Sequence, residues 1–241
     1  MTQAPARTPQ DGQRWLTQGT DIFLAALERL DDAALAGPTA LAGWTGKHVV
    51  GHVGANAEAL RNLVHWARTG EPTPMYASTE QRGLDIDTRS RWDPETLRAR
   101  ARTSAAELAA DLASLTPAQW ASQIVTAQGR TVPASEIPWM RARELMIHAV
   151  DLGTVAFDDL PADYLAAQVT DAVGKHAGAV DAPALTVAPT DSDLRWSVEG
   201  TGDPVTVVGT LADLAAYLTG RPGGPVTTGA GDPAPPLPRW L

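Results

Sequence analysis

The chain contains no cysteine. That excludes disulfides and zinc ribbons, and it removes thiolate from the protein's own nucleophiles. A metal site must then be assembled from His, Asp and Glu, and any thiol chemistry must use a thiol brought from outside. Positive charge is scarce as well. The 19 Lys and Arg stand against 28 Asp and Glu, for a formal net charge of -9. No basic patch that could neutralise phosphates is visible, so no nucleic-acid partner is expected. No run approaches the ~20 apolar residues of a membrane span. The opening MTQAPARTPQDGQRW lacks the apolar core of a signal peptide. A cytoplasmic protein with no membrane partner is the resulting expectation, and nothing in the chain requires an oligomer, so a monomer is expected. No internal repeat is found.

What is present is ordinary globular material. The 241 residues suffice for one large domain or two small ones. Hydrophobic residues at 44% and charged residues at 20% match a folded globular chain, and abundant alanine favours helix. A first helix is predicted over about Gly12 to Leu35, from the apolar stripe of Trp15, Leu16, Phe23, Leu27 and Leu30, with Gly37 and Pro38 as its stop. A second follows the N-cap Thr45 and ends at Gly70. Residues 71–92 read as a long irregular loop, the kind that often carries function. A third helix starts at Asp93-Pro94 and reaches about Leu115. QIVTAQGRTVPAS reads as extended on both sides of Gly129, a short hairpin or a crossing loop, and a fourth helix runs from about Ser135 to Gly153.

Four long helices with one long crossover predict a four-helix bundle. After about Phe157 to Pro161 the pattern changes: a helix over Pro161 to Val180, three short Val- and Thr-rich runs, a closing helix in LADLAAYLTG, and the proline-rich tail GDPAPPLPRWL lying extended. The predicted fold is mostly α plus α+β, with a helical bundle over 1–157 and a small α+β domain over 158–241.

Two stretches carry chemistry. In RELMIHAVDLG, Glu144 and His148 stand four apart, and in KHVVGHV so do His48 and His52. Positions four apart share a helix face. Such a pair is most often an exposed ion pair, but Met140, Leu145, Ile147 and Val150 make the fourth helix largely apolar, so an inward-facing Glu and His need a buried partner. Bundles build central metal sites from carboxylates and imidazoles at short helical spacings, and two His with one Glu suit zinc with a position left open. His52 is deeper in its helix than His48, which reads as a partly exposed residue, a supporting residue or a fourth ligand. His65 and His176 read as surface residues. Asp151, three past His148, could orient it or cap the helix.

The segments LAGWTGKHVVGHVGANAEALRNLVHWARTGEPTPMY and TAQGRTVPASEIPWMRARELMIHAVDLG, with the terminal PRWL, resemble the mycothiol-dependent maleylpyruvate isomerase family. The likeness covers nearly the whole chain. It implies a DinB-like bundle, a C-terminal unit of sterol-carrier-like style, metal ligands at His52, Glu144 and His148, a divalent ion (zinc by preference), and mycothiol as thiol cofactor. The implied reaction is isomerisation of 3-maleylpyruvate to 3-fumarylpyruvate in gentisate breakdown. A dicarboxylate substrate calls for cationic partners, and arginine matches a carboxylate bidentately. Arg82 is a candidate by its place in the long loop. Arg221, in LTGRPGG, is supported by the likeness as a catalytic or substrate-binding residue. Arg141 and Arg143 read as surface or supporting residues. Trp44, Trp66, Trp139 and Trp196 read as core, and Trp240 as an anchor for the tail. The competing functions are a mycothiol S-transferase and a non-catalytic metal-binding or sterol-carrier-like module.

Overall fold

The structure, a computed structural model, describes residues 4–240; Leu241 of the PRWL motif lies outside them. The chain divides into two compact units, one spanning Thr8–Val155 and the other formed by residues 156–240 with residues 4–7.

The first unit opens with α1 (Pro9–Glu28), started by a reciprocal cap: the Thr8 hydroxyl accepts from Asp11 N at 3.2 Å and the Asp11 carboxylate accepts from Thr8 N at 3.0 Å. The single helix expected to Leu35 is in fact broken. Asp31 accepts the N–H of Ala34 at 2.7 Å and starts a separate turn, α2 (Asp32–Ala36). An aspartate competes for backbone donors wherever the chain can bend. α3 (Gly46–Thr69) begins behind Thr45 and ends at Gly70, whose φ of 78° is the left-handed conformation of a helix stop.

The expected loop over 71–92 is corrected by the structure, because it contains α4 (Thr79–Ser90), capped by Ser78 on Gln81 N at 3.0 Å. α4 buries Ile86 alone, so no apolar stripe announced it. α5 (Pro94–Ala113) follows the Asp93 cap, and a short α6 (Pro117–Trp120) leads into β1 (Gln123–Val125) and β2 (Thr131–Pro133), an antiparallel hairpin around Gly129. A 3-10 turn at Ala134–Glu136 precedes α7 (Ile137–Asp151).

The bundle is α1, α3, α5 and α7, with α1 packed on α7 and α3 packed on both α5 and α7. One core layer gathers Phe23, Leu27, Val49, Val53, Leu97 and Leu145. A second gathers Leu60, Leu63, Val64, Leu108, Ile124 and Ile137. Each fully buried side chain of this kind stabilises the fold by about 1.5–3 kcal/mol. α4 lies so close on α3 that a Cβ on Gly51 would stand 2.9 Å from Arg89 Cβ. The contact is clamped by Glu58 of α3, which accepts from Arg89 at 2.6 and 3.2 Å and from Arg100 of α5 at 2.9 Å.

The second unit holds α8 (Ala162–His176), β3 (Pro183–Pro189), β4 (Trp196–Val198), β5 (Thr201–Gly209), α9 (Leu211–Thr219) and β6 (Thr227–Thr228). The sheet order is β4-β3-β5-β6, with β3 and β5 parallel and the other pairs antiparallel. The two helices pack on each other and on the sheet. His176, expected at the surface, is buried, with Nε2 2.8 Å from the Leu218 carbonyl, so α8 spends it on tying down the end of α9. The tail is strapped to this unit: Tyr217 donates to the Pro235 carbonyl at 2.5 Å, and the Trp240 ring lies 5.0 Å from Lys175 Nζ and 5.6 Å from the Arg221 guanidinium carbon.

Candidate metal centre

α3 and α7 carry the chemistry. Glu144 and His148 sit one turn apart on α7, and His52 sits on α3 where the two helices pack. Val49 and Val53 on one helix and Leu145 and Ala149 on the other are core residues. They turn the intervening polar side chains toward the bundle interior. His52 and His148 are buried and Glu144 is partly so. One potential ligand atom from each of the three lies within 4.8 Å of the others. Both imidazole Nε2 atoms approach the same carboxylate oxygen, at 2.9 Å for His52 and 3.4 Å for His148.

The electrostatics follow from burial and closeness. Burial pulls the His52 imidazolium down to about 4 against the attraction of Glu144. Burial alone would raise the Glu144 carboxyl, but hydrogen bonds from His148 and His52 hold it well below the usual carboxylate range. His148 is raised, because Asp151 and Glu144 outweigh the burial that opposes its charge. Asp151 is the reason His148 points as it does: its buried carboxylate lies 2.8 Å from His148 Nδ1, leaving Nε2 to face Glu144. Two imidazole nitrogens and a carboxylate oxygen, one imidazole oriented by a second carboxylate, are a donor set that fits a divalent cation and leaves a coordination position open.

His48 is not part of the group. Its Nδ1 accepts from Thr45 N at 3.2 Å and lies 2.8 Å from Thr45 Oγ1, so the imidazole stands where a capping Glu or Gln usually does and holds the start of α3. Arg82, chosen on location alone, is brought to the site by α4, with Nη2 3.4 Å from His52 Nδ1. Arg221 belongs to the second unit. Its backbone N–H bonds the Ala216 carbonyl in the C-cap of α9, and Nη1 donates to the Thr219 carbonyl at 2.8 Å.

Sequence reasoning passed over several neighbours of the cluster. Arg141 is among the largest fully buried side chains rather than a surface one, donating to the Val53 carbonyl at 2.6 Å and to Asn56 Oδ1 at 2.9 Å. Burial lowers its guanidinium to about 10, still charged at neutral pH. Arg143 is buried too. A charged residue type predicts exposure, and only the tertiary fold reveals these partners. Tyr76 stacks under Arg82, 5.7 Å from guanidinium carbon to ring, and burial with the Glu144 charge raises its phenol. Trp44, read as plain core, is half-buried against three histidine rings. Trp139 and Trp196 are core as expected, and Trp66 packs at the edge of the second core layer. His65 is a surface residue.

Bundle, cluster and α+β unit together define a protein built on a four-helix bundle that carries a His, Glu, His group between two of its helices. Residues 16–153, nearly all of the first unit, match the family described as the mycothiol maleylpyruvate isomerase N-terminal domain. The chain is 36% identical to a protein whose crystal structure is that of the mycothiol-dependent maleylpyruvate isomerase, with all of both chains covered and a TM-score of 0.90. The crystal structure of that isomerase as its H52A mutant matches equally, at 36% identity, full coverage of both chains and a TM-score of 0.90. No curated protein sequence matches. The chain belongs to the mycothiol-dependent maleylpyruvate isomerase family. Among the described residues no helix is long and apolar enough to cross a membrane.

Proposed function

We propose that this protein isomerises 3-maleylpyruvate to 3-fumarylpyruvate with mycothiol as its thiol cofactor, and that His52, Glu144 and His148 hold a divalent ion, zinc by the preference of the donor set. One observation carries the reading: three donor atoms converge within 4.8 Å inside a chain of this family.

The chemistry needs a nucleophile that adds and leaves. A thiolate adds to one carbon of the double bond conjugated to the carbonyl, and the π electrons move onto the carbonyl oxygen. The former double bond is now single and rotates. The electrons return, the carbon–sulfur bond breaks, and the trans alkene and the thiolate are regenerated. With no cysteine in the chain, the thiolate comes from the cofactor. A free thiol with a pKa near 8.5 is mostly protonated at neutral pH. A divalent ion at the cluster would supply Lewis acidity, lowering the thiol pKa or polarising a carbonyl oxygen.

The residues supply the rest. His52 and His148 present Nε2, Glu144 presents one carboxylate oxygen, and Asp151 keeps His148 in the tautomer with a free Nε2. Arg82, beside His52, offers a guanidinium fork for a substrate carboxylate. Arg221 is a functional residue on the family likeness.

The test is a turnover assay on purified protein with maleylpyruvate, with and without mycothiol and with and without chelator. Fumarylpyruvate should form only when thiol and metal are both present. A stable thiol adduct without fumarylpyruvate would replace this reading with an S-transferase. Protein purified without chelator yet devoid of divalent metal would favour a binding module.

A further inference from the structure

We infer that Trp44 is a positioning residue for the metal centre: its indole forms a wall that sets the orientation of the two imidazole ligands. The inference rests on the proposal that His52, Glu144 and His148 hold a metal.

The physical need is specific. The χ2 torsion of histidine is broad and roughly two-fold, so an imidazole does not choose the direction of its Nε2 by itself. A ligand constellation tolerates only roughly 10–20° of misorientation. His148 has one strong hold, Asp151 on Nδ1 at 2.8 Å. His52 has no matching hold from Arg82: a guanidinium only donates, so its Nη2 at a long 3.4 Å from His52 Nδ1 does not fix the tautomer that frees Nε2.

Trp44 touches both rings. Its plane lies 19° from that of His148 at a centroid distance of 6.4 Å, a stacked contact, and meets His52 edge-on at 65° and 5.6 Å. His52 and His148 in turn meet at 84° and 4.8 Å. A ring parallel to one imidazole and crossed with the other constrains two perpendicular planes at once. Aromatic pairs prefer these offset-stacked and edge-to-face arrangements.

The wall is itself fixed. The Trp44 carbonyl accepts from Thr39 N at 2.9 Å and Thr39 Oγ1 at 3.0 Å, and Trp44 N donates to Leu41 at 3.0 Å. The loop is closed by the Pro38–Thr45 bridge and by Gly46 N on the Gly37 carbonyl at 3.1 Å. His48 also stacks on Trp44, at 6.2 Å and 29°, and is locked into the Thr45 cap. The Trp44 backbone is therefore fixed by its own loop, and its indole has a contact in His48 that is not one of the two imidazoles it orients.

Zinc affinity measured by competition with a chromophoric chelator tests this on the full-length protein, with wild type, Trp44→Phe, Trp44→Leu and His52→Ala. Phenylalanine keeps a flat ring and leucine keeps only apolar bulk. The expected result is that Trp44→Leu weakens zinc binding by about 10–100-fold, the range for lost supporting contacts, while Trp44→Phe stays several-fold tighter than Trp44→Leu. The visible spectrum of bound Co(II) should shift in Trp44→Leu and return toward wild type in Trp44→Phe. Equal affinities of the Phe and Leu variants would overturn the inference, since a spacer of bulk would then suffice, and so would a Trp44→Leu variant that binds as wild type does. If His52→Ala binds zinc as tightly as wild type, the proposed ligand set fails, and the inference fails with it at that identifiable step. A Trp44→Leu variant whose circular dichroism shows lost helix is replaced by the direct comparison of Trp44→Phe with wild type, where a Co(II) spectrum unlike that of wild type counts against the inference and a matching one supports it.

Discussion

Removing Asp151 should loosen the metal without loosening the fold. Asp151 is 3% exposed as a residue, and its carboxylate lies 2.8 Å from His148 Nδ1. It therefore fixes the tautomer that leaves Nε2 free for a metal, and it adds negative charge that strengthens the imidazole as a donor. Losing a supporting carboxylate of this type costs about 10–100-fold in metal affinity, or roughly 1.4–2.8 kcal/mol at 1.4 kcal/mol per factor of ten. Asp151→Asn keeps the shape and an acceptor oxygen but loses the charge, so it should fall at the mild end. Asp151→Ala loses both and should fall at the severe end. In the metal-free protein the same changes remove one of the two carboxylates that raise His148, so its NMR titration should move to lower pH. Zinc competition and histidine titration on the three proteins are the assays. A zinc affinity of Asp151→Ala within about twofold of wild type, against the tenfold or more expected, would refute the reasoning and leave Asp151 as the end of a helix.

Arg141→Met should destabilise the bundle by about 3 kcal/mol, roughly 6–12 °C in Tm, because it takes the guanidinium donor from Asn56 Oδ1 and a second hydrogen bond from the Val53 carbonyl inside the core; a loss under about 1 kcal/mol would mean water replaces the guanidinium. Arg221→Ala should lower turnover far more than zinc content, and unchanged kinetics would return it to a structural cap residue. With metal removed, His52 should make the protein acid-sensitive: its folded value of about 4 lies below the ordinary 6.5, so between those values the unfolded chain binds a proton that the folded one refuses. Stability then falls as pH drops through that window, by about 1.4 kcal/mol per unit at most. The raised His148 acts in the opposite sense, its contribution full below its unfolded value and lost as pH rises through the folded one. Urea denaturation of chelated wild type and His52→Gln across this range should show the flatter profile for the variant.

Much of the bundle was legible because its signals are local. Thr45 and Gly70 bracket α3, and Asp93-Pro94 opens α5, since caps and stops act within one turn of the backbone they satisfy. The cluster was half legible. Spacing puts Glu144 beside His148, but which face of α7 turns inward depends on where α3 lies. What escaped was either locally silent or decided at long range. α4 buries too little for a stripe, and the Asp31 break interrupts a pattern that otherwise continues. Arg141 reaches Asn56, Tyr76 comes under the Glu144 charge and Trp44 meets His148 only through folding of segments far apart in sequence.

α4 also has the character of a ruler. Arg89 at one end is pinned by Glu58 and by the close approach to Gly51, and Arg82 near the other end touches His52. The seven-residue step from one to the other spans about 10 Å and two helical turns, so both arginines emerge on one side. One residue inserted or deleted between them would swing Arg82 by about 100° and carry it off the site, whereas the irregular stretch before Ser78 should absorb changes in length. The position of a charge beside the cluster is thus set by a count of residues, and α4 should accept many substitutions on its solvent face while refusing a single change in length.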